Sequence, residues 1–213
     1  MSQLLIELRS AAIFASWALY RLFIWPRRGY EIVRQAVDPE ALDRIRQNMP
    51  ATPSGIQSAI GQITEDLIAP LRLEPIAARY LGPCKFVPTN SSCRLQLPEH
   101  NRALTAHQNA APLHITWPWD RGITIWVPLV PIDETCASLA VAARESWRPL
   151  PHGEDNARYV VLPNSIERLN RIEKLDLGDI VVLRPLTIHA TDIPLKATRP
   201  RWSLDLRAVP LSR

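Results

Sequence analysis

The stretch His107-Gln108-Asn109 comes within one atom of a metal-binding motif. In a β-strand, residues two apart share a face, so His107 and Asn109 would converge on one spot. A second histidine, His189, closes the segment 178–189 far downstream, and Arg199, Arg201 and Arg207 follow it. Two imidazoles and one short carboxylate, delivered by separate strands, make a donor set for a divalent metal with positions left open. Here the third donor is an amide. Asn109 offers a neutral carbonyl oxygen where an aspartate would bring a full negative charge.

A second constellation lies in Arg201-Trp202-Ser203-Leu204-Asp205-Leu206-Arg207. The alternation puts Arg, Ser, Asp and Arg on one face, and Trp, Leu and Leu on the other. A half-polar strand ordinarily turns its polar face to water. In a jelly roll the same face can line the interior around a ligand. Arg201 and Ser203 together suit a carboxylate, the guanidinium gripping it bidentately and the hydroxyl adding a donor.

These groups need strands to present them, and the chain changes character to supply them. Pro26-Arg27-Arg28-Gly29 ends an apolar segment, and residues 30–36 read as a short strand. Asp38-Pro39-Glu40 starts a helix over 39–48, with Asp as N-cap and Pro in the first turn. Helices are also expected over 56–71 and 73–81. From 84 onward the pattern turns to short strands: two within 84–97, then 104–109, 122–130, 137–143, 159–162, 179–183, 187–190 and 202–209. Residues 165–174 read as a helical turn or two. Helices first and many short strands after give an α+β chain whose core is a β-sandwich or a jelly roll. The expectation is a single domain over 1–213, comprising an apolar helix (1–28), a strand plus helices (29–82) and the jelly-roll core (83–213).

Several segments, in this order, resemble the phytanoyl-CoA dioxygenase-like branch of the Fe(II)/2-oxoglutarate-dependent oxygenases. They are Gly29-Tyr30-Glu31-Ile32-Val33 with Asp38-Pro39-Glu40-Ala41-Leu42, Arg94-Leu95-Gln96 ahead of His107-Gln108-Asn109, and Thr124-Ile125-Trp126-Val127-Pro128-Leu129. Leu177-Gly178-Asp179 then leads into His189 and Arg201-Trp202-Ser203. The resemblance implies a double-stranded β-helix, a jelly-roll or cupin-like core, with His107 and His189 as iron ligands, position 109 as the third, and Fe(II) and 2-oxoglutarate as cofactors. It implies Arg201 as the partner of the distal carboxylate of 2-oxoglutarate, with Arg199 as the fallback, and Thr124 and Gln96 as minor contacts. The activity it implies is oxidation of a C–H bond of a small molecule.

Three departures stand against that pattern. Asn109 replaces the aspartate. Ala142-Ala143-Arg144-Glu145-Ser146 stands where the family often has Pro-Gly-Ser-His. The chain is also short for the family. Three readings of Asn109 follow: a weak ligand in a working enzyme, a position opened to another ligand, or a site without iron. In the last case the chain would be a non-redox isomerase or cyclase, or a binding subunit. The amide is either native or an engineered change.

The remaining residues narrow the field. A net charge of +4 without a dense Lys/Arg cluster gives little ground for nucleic-acid binding, and an anionic small molecule suits it as well. Three cysteines without paired spacing and no secretory signal point to reduced thiols in a cytoplasm. Residues 4–25 are apolar, but the uncharged run 10–20 is too short to span a bilayer. Such a helix would pack on its own domain, on a second copy in a homodimer, or weakly on a membrane surface. Trp117 and Trp119 in a proline-rich loop, with His114 beside them, are the candidates for substrate contact. No glycine elbow or phosphate loop supports a hydrolase or a nucleotide enzyme.

Overall fold

The computed structural model describes residues 29–49, 60–62, 64–98, 104–109, 122–146, 150, 152–155, 158–161 and 168–211. The apolar segment 4–25 and the loop carrying His114, Trp117 and Trp119 lie outside the described residues.

Among the described residues, strands alternate with short connections. They are β1 Tyr30–Val33, β2 Ile60–Gln62, β3 Cys84–Phe86, β4 Ser92–Gln96, β5 Ile123–Pro128 and β6 Ser138–Ala142, followed by β7 His152–Asp155, β8 Arg158–Val161, β9 Leu169–Arg171, β10 Ile180–Leu183, β11 His189–Asp192 and β12 Arg201–Pro210. The large sheet has the order β1-β10-β5-β12-β4-β2, and β3 also pairs with β12. A smaller sheet has the order β11-β6-β9, and β7 pairs with β8. All these pairings are antiparallel. Antiparallel sheets packed face to face with few helices make a jelly roll.

Side-chain parity decides what the fold does with each strand. Ile123, Ile125 and Val127 of β5 cluster with Ile180 and Val182 of β10, and with Leu204, Leu206 and Ala208 of β12. The same cluster takes in Leu42 and Ile45 of the helix Pro39–Gln47 and Ala77 of the helix Glu74–Leu81. Thus one face of the large sheet is covered by helices. The other parity, Trp126, Val181 and Leu183, packs with Leu139 and Val141 of the smaller sheet. The odd-numbered residues of β12 follow that second parity and look into the space between the sheets. The polar face of Arg201, Ser203, Asp205 and Arg207 is therefore turned inward, not toward water.

The turn before β10 is held by Gly178, which has φ +100 and whose carbonyl accepts from the amides of Ala36 (2.8 Å) and Val37 (3.1 Å). A Cβ at that position would stand 2.6 Å from the Val37 oxygen. The neighbouring Asp179 accepts from the Gln35 amide at 2.9 Å and the Asp176 amide at 3.0 Å, and pairs with Arg34. Leu177-Gly178-Asp179 thus fastens β1 to β10 and carries no chemistry of its own.

Four expectations need correction. The helix expected over 56–71 is instead β2, then a short helix Glu65–Ile68 and a 3₁₀ turn Ala69–Leu71. Ile60, Gly61 and Gln62 pair with Arg94, Cys93 and Ser92, so the free edge of β4 captures a segment that carries a helix-breaking glycine. The helical turn expected over 165–174 gives way to β9, which completes the smaller sheet against β6. The strand expected over 104–109 is reduced to a single bridge, His107 to His189. The strand expected over 30–36 stops at Val33, because the chain turns there with Gln35 at φ +49.

Candidate active site

His107 and His189 face each other across that bridge. The His107 amide donates to the His189 carbonyl (3.0 Å), and the His189 amide donates to the His107 carbonyl (3.1 Å). The imidazole centroids are 4.2 Å apart with the rings tilted by 53°. Nδ1 of His107 lies 2.8 Å from the Thr105 carbonyl, and Nδ1 of His189 lies 2.9 Å from the Thr187 carbonyl. A carbonyl only accepts, so each Nδ1 bears the proton and each Nε2 keeps a free lone pair. Both rings are buried. Burial, then the neighbouring His189, pushes the pKa of His107 well down, and burial takes His189 down to about 4. Near neutral pH the two rings are uncharged, as ligands for a metal must be.

Asn109 is fully buried beside them. Its Nδ2 donates to Thr124 Oγ1 at 2.9 Å, and its Oδ1 accepts from Arg207 Nη2 at 3.0 Å. A guanidinium has no acceptor, so the oxygen of the amide must be the atom that faces Arg207. The side-chain oxygen of position 109 is thereby already engaged by a cation.

Arg201 is 1% exposed, and its guanidinium stacks over the Trp126 ring, 5.2 Å from the centroid. Among the described residues, its Nε and Nη1 have no hydrogen-bond partner, and neither has the hydroxyl of Ser203, one pleat along the same face of β12. Burial lowers its pKa to about 10, so it stays a cation at neutral pH. Buried polar atoms are ordinarily satisfied, and three orphaned donors side by side describe the imprint of an acceptor. The cavity lined by Arg201, Trp126, His107, His189 and Arg207 brings these groups to one place.

The other expected site residues fall differently. Gln96 is buried and stands opposite Arg201 in the β4–β12 register, but its Nε2 donates to the Leu97 carbonyl at 3.2 Å. Thr124 holds Asn109. Arg199 is tied to Asp133, Thr135 and the Pro131 carbonyl, and it does not line the cavity. Among the described residues, no group of three His, Cys, Asp or Glu is placed to hold a metal ion. No described helix is long and apolar enough to cross a membrane.

Sequence reasoning gave no role to Arg207, nor to the pair formed by Arg94 and Asp205 at 3.4 Å. The alternation of β12 had already set Arg207 and Asp205 on the face of Arg201. What was missing was the pairing of β12 with β5, which puts Arg207 opposite Thr124 and hence beside Asn109.

No protein-family model matches the chain, and no curated protein sequence matches it. Solved structures do match it in fold. The epimerase SnoN, in complex with Fe3+, alpha ketoglutarate and nogalamycin RO, is 17% identical with a TM-score of 0.66, over 94% of this chain and 84% of that one. EvdO2 from Micromonospora carbonacea var. aurantiaca, complexed with 2-oxoglutarate, is 20% identical with a TM-score of 0.64, over 87% of each chain. EctD from S. alaskensis, with 2-oxoglutarate and 5-hydroxyectoine, is 15% identical with a TM-score of 0.65, over 88% of this chain and 74% of that one. At these identities the likeness is one of fold: the chain has the jelly roll of these proteins.

Proposed function

We propose that the chain is an Fe(II)- and 2-oxoglutarate-dependent enzyme of the phytanoyl-CoA dioxygenase-like branch, oxidising a C–H bond of a small molecule. The observation that carries this reading is buried Arg201, with unpartnered donors among the described residues, in one cavity with two neutral imidazoles and next on its strand face to the buried Ser203 hydroxyl. Three solved structures of the same fold, described above, hold 2-oxoglutarate or alpha ketoglutarate, and one of them Fe3+.

The residues present fit both groups, with one weak member. Arg201 Nε and Nη1 and the Ser203 hydroxyl suit the distal carboxylate of the acid. His107 and His189 would hold the metal through Nε2, each oriented by the bond from its Nδ1 to a carbonyl. Asn109 adds a neutral oxygen that it shares with Arg207. With Fe(II) and the 2-oxo acid bound, the site would supply O₂-dependent oxidation of a substrate C–H bond, coupled to conversion of 2-oxoglutarate to succinate and carbon dioxide. The chain's own part is to orient and to exclude water. Trp126 holds the Arg201 guanidinium by stacking, and Arg201 would anchor the distal carboxylate of the acid in the cavity that His107 and His189 also line. His114, Trp117 and Trp119 are proposed to meet the substrate.

The test is an anaerobic titration of Fe(II) with 2-oxoglutarate, watching for the metal-to-ligand charge-transfer band of the chelate. The wild type is expected to give the band, and Arg201→Ala to need far more acid to reach it. A band absent from the wild type but present in Asn109→Asp would sink the oxygenase reading. Normal 2-oxoglutarate binding by Arg201→Ala would sink the assignment of Arg201.

A further inference from the structure

Arg201 is not the cavity's only unsatisfied cation. Arg207 also lines it, and its Nη1 is shielded from solvent and has no partner among the described residues. Arg94 lines it too, but is matched by Asp205 at 3.4 Å. Arg171, further out, is matched by Asp192. The two imidazoles are neutral, as are Asn109 and Thr124. Among the described residues, two positive charges therefore remain in the cavity, and their spare donors have no anion. Charges removed from water need partners.

The two guanidiniums belong to opposite ends of the same strand face, about 20 Å apart at Cα by the rise of a β-strand. Trp126 stands opposite Asp205 in the register, so stacking on its ring draws the Arg201 head group toward the Arg207 end. The bond to Asn109 keeps the Arg207 head group in the cavity beside the histidines. An anion with two separated negative ends matches this arrangement in charge.

We propose that the cavity binds a short dicarboxylate dianion between Arg201 and Arg207 without a metal ion, with 2-oxoglutarate as the member of that class it uses. One carboxylate lies on Arg201 and Ser203, and the other on Arg207. The inference rests on the reading of 2-oxoglutarate as cosubstrate and goes beyond it. Arg207 takes over part of the charge that a metal ion would present to the 2-oxo end. An amide at position 109 is compatible with this arrangement, because an aspartate there would neutralise Arg207.

The experiment is calorimetric titration of the full chain in excess chelator. The probes are 2-oxoglutarate, glutarate, which lacks the 2-oxo group, and pentanoate, which has one carboxylate. Wild type is expected to bind 2-oxoglutarate and glutarate with Kd values within a few-fold of each other, and pentanoate about thirtyfold more weakly or worse. Arg207→Met is expected to bring glutarate down to the pentanoate level and leave pentanoate unchanged. Arg207→Lys, which keeps the charge, is expected to retain most of the glutarate affinity. Equal binding of glutarate and pentanoate by the wild type overturns the proposal even if the variants do not fold. So does unchanged glutarate binding by Arg207→Met. No binding in chelator, together with a charge-transfer band once Fe(II) is added, overturns the proposal and leaves the oxygenase reading standing. Neither binding nor band removes both.

Discussion

An aspartate at position 109 would meet the guanidinium of Arg207 as well as any metal ion, because the oxygen of Asn109 already lies 3.0 Å from Arg207 Nη2. Opposite unit charges about 4 Å apart attract by roughly 4 kcal/mol at an effective dielectric of 20. That attraction competes with the metal for the new carboxylate and offsets part of the affinity it adds. Asn109→Asp alone should therefore raise Co(II) affinity only modestly, by about tenfold or less. Adding Arg207→Met should release the carboxylate and raise the affinity by a further thirtyfold or so. Metal titrations of the two single variants and the double variant measure this directly, and a single variant as tight as the double would refute the coupling. The near-miss in His107-Gln108-Asn109 was legible from residue types alone. Its compensating cation was not, because Arg207 lies far off in the chain and meets Asn109 only through the β5–β12 register.

At the scale of elements, the strands with clean parity were the legible ones. The alternation of 201–207 correctly separated the residues facing the helices from those facing the cavity, since a period of two admits no other arrangement. Segments whose fate depends on a partner were not legible. Ile60–Gln62 is drawn into the sheet by the edge of β4, and Leu169–Arg171 by the edge of β6. Gly178 belongs to this scale as well. Its positive φ and the 2.6 Å approach of the Val37 oxygen leave no room for a side chain. Gly178→Ala should cost about 1–3 kcal/mol and weaken the fastening of β1 to β10. Urea denaturation would read the loss, and an unchanged midpoint would mean that the turn relaxes freely.

For the whole molecule, the inward polar face makes stability depend on pH. His189 has a pKa of 6.5 when exposed and about 4 when folded, and burial pushes His107 down in the same direction. Between those values the unfolded chain binds more protons than the folded one. Stability should be full above about pH 6.5 and fall as the pH drops toward 4. Thermal melting across that range tests this, with His189→Gln expected to flatten the slope. The sequence by itself determined the local terms: which residues can donate, accept or ligate, which strand faces are polar, and that position 109 carries an amide where the motif it resembles has a carboxylate. Only the tertiary structure decided that the polar face of β12 points between the sheets, that Arg199 pairs elsewhere, and that Arg207 meets Asn109. Parity follows from the geometry of a single strand, whereas pairing depends on which distant strands share hydrogen bonds, and no local propensity specifies that.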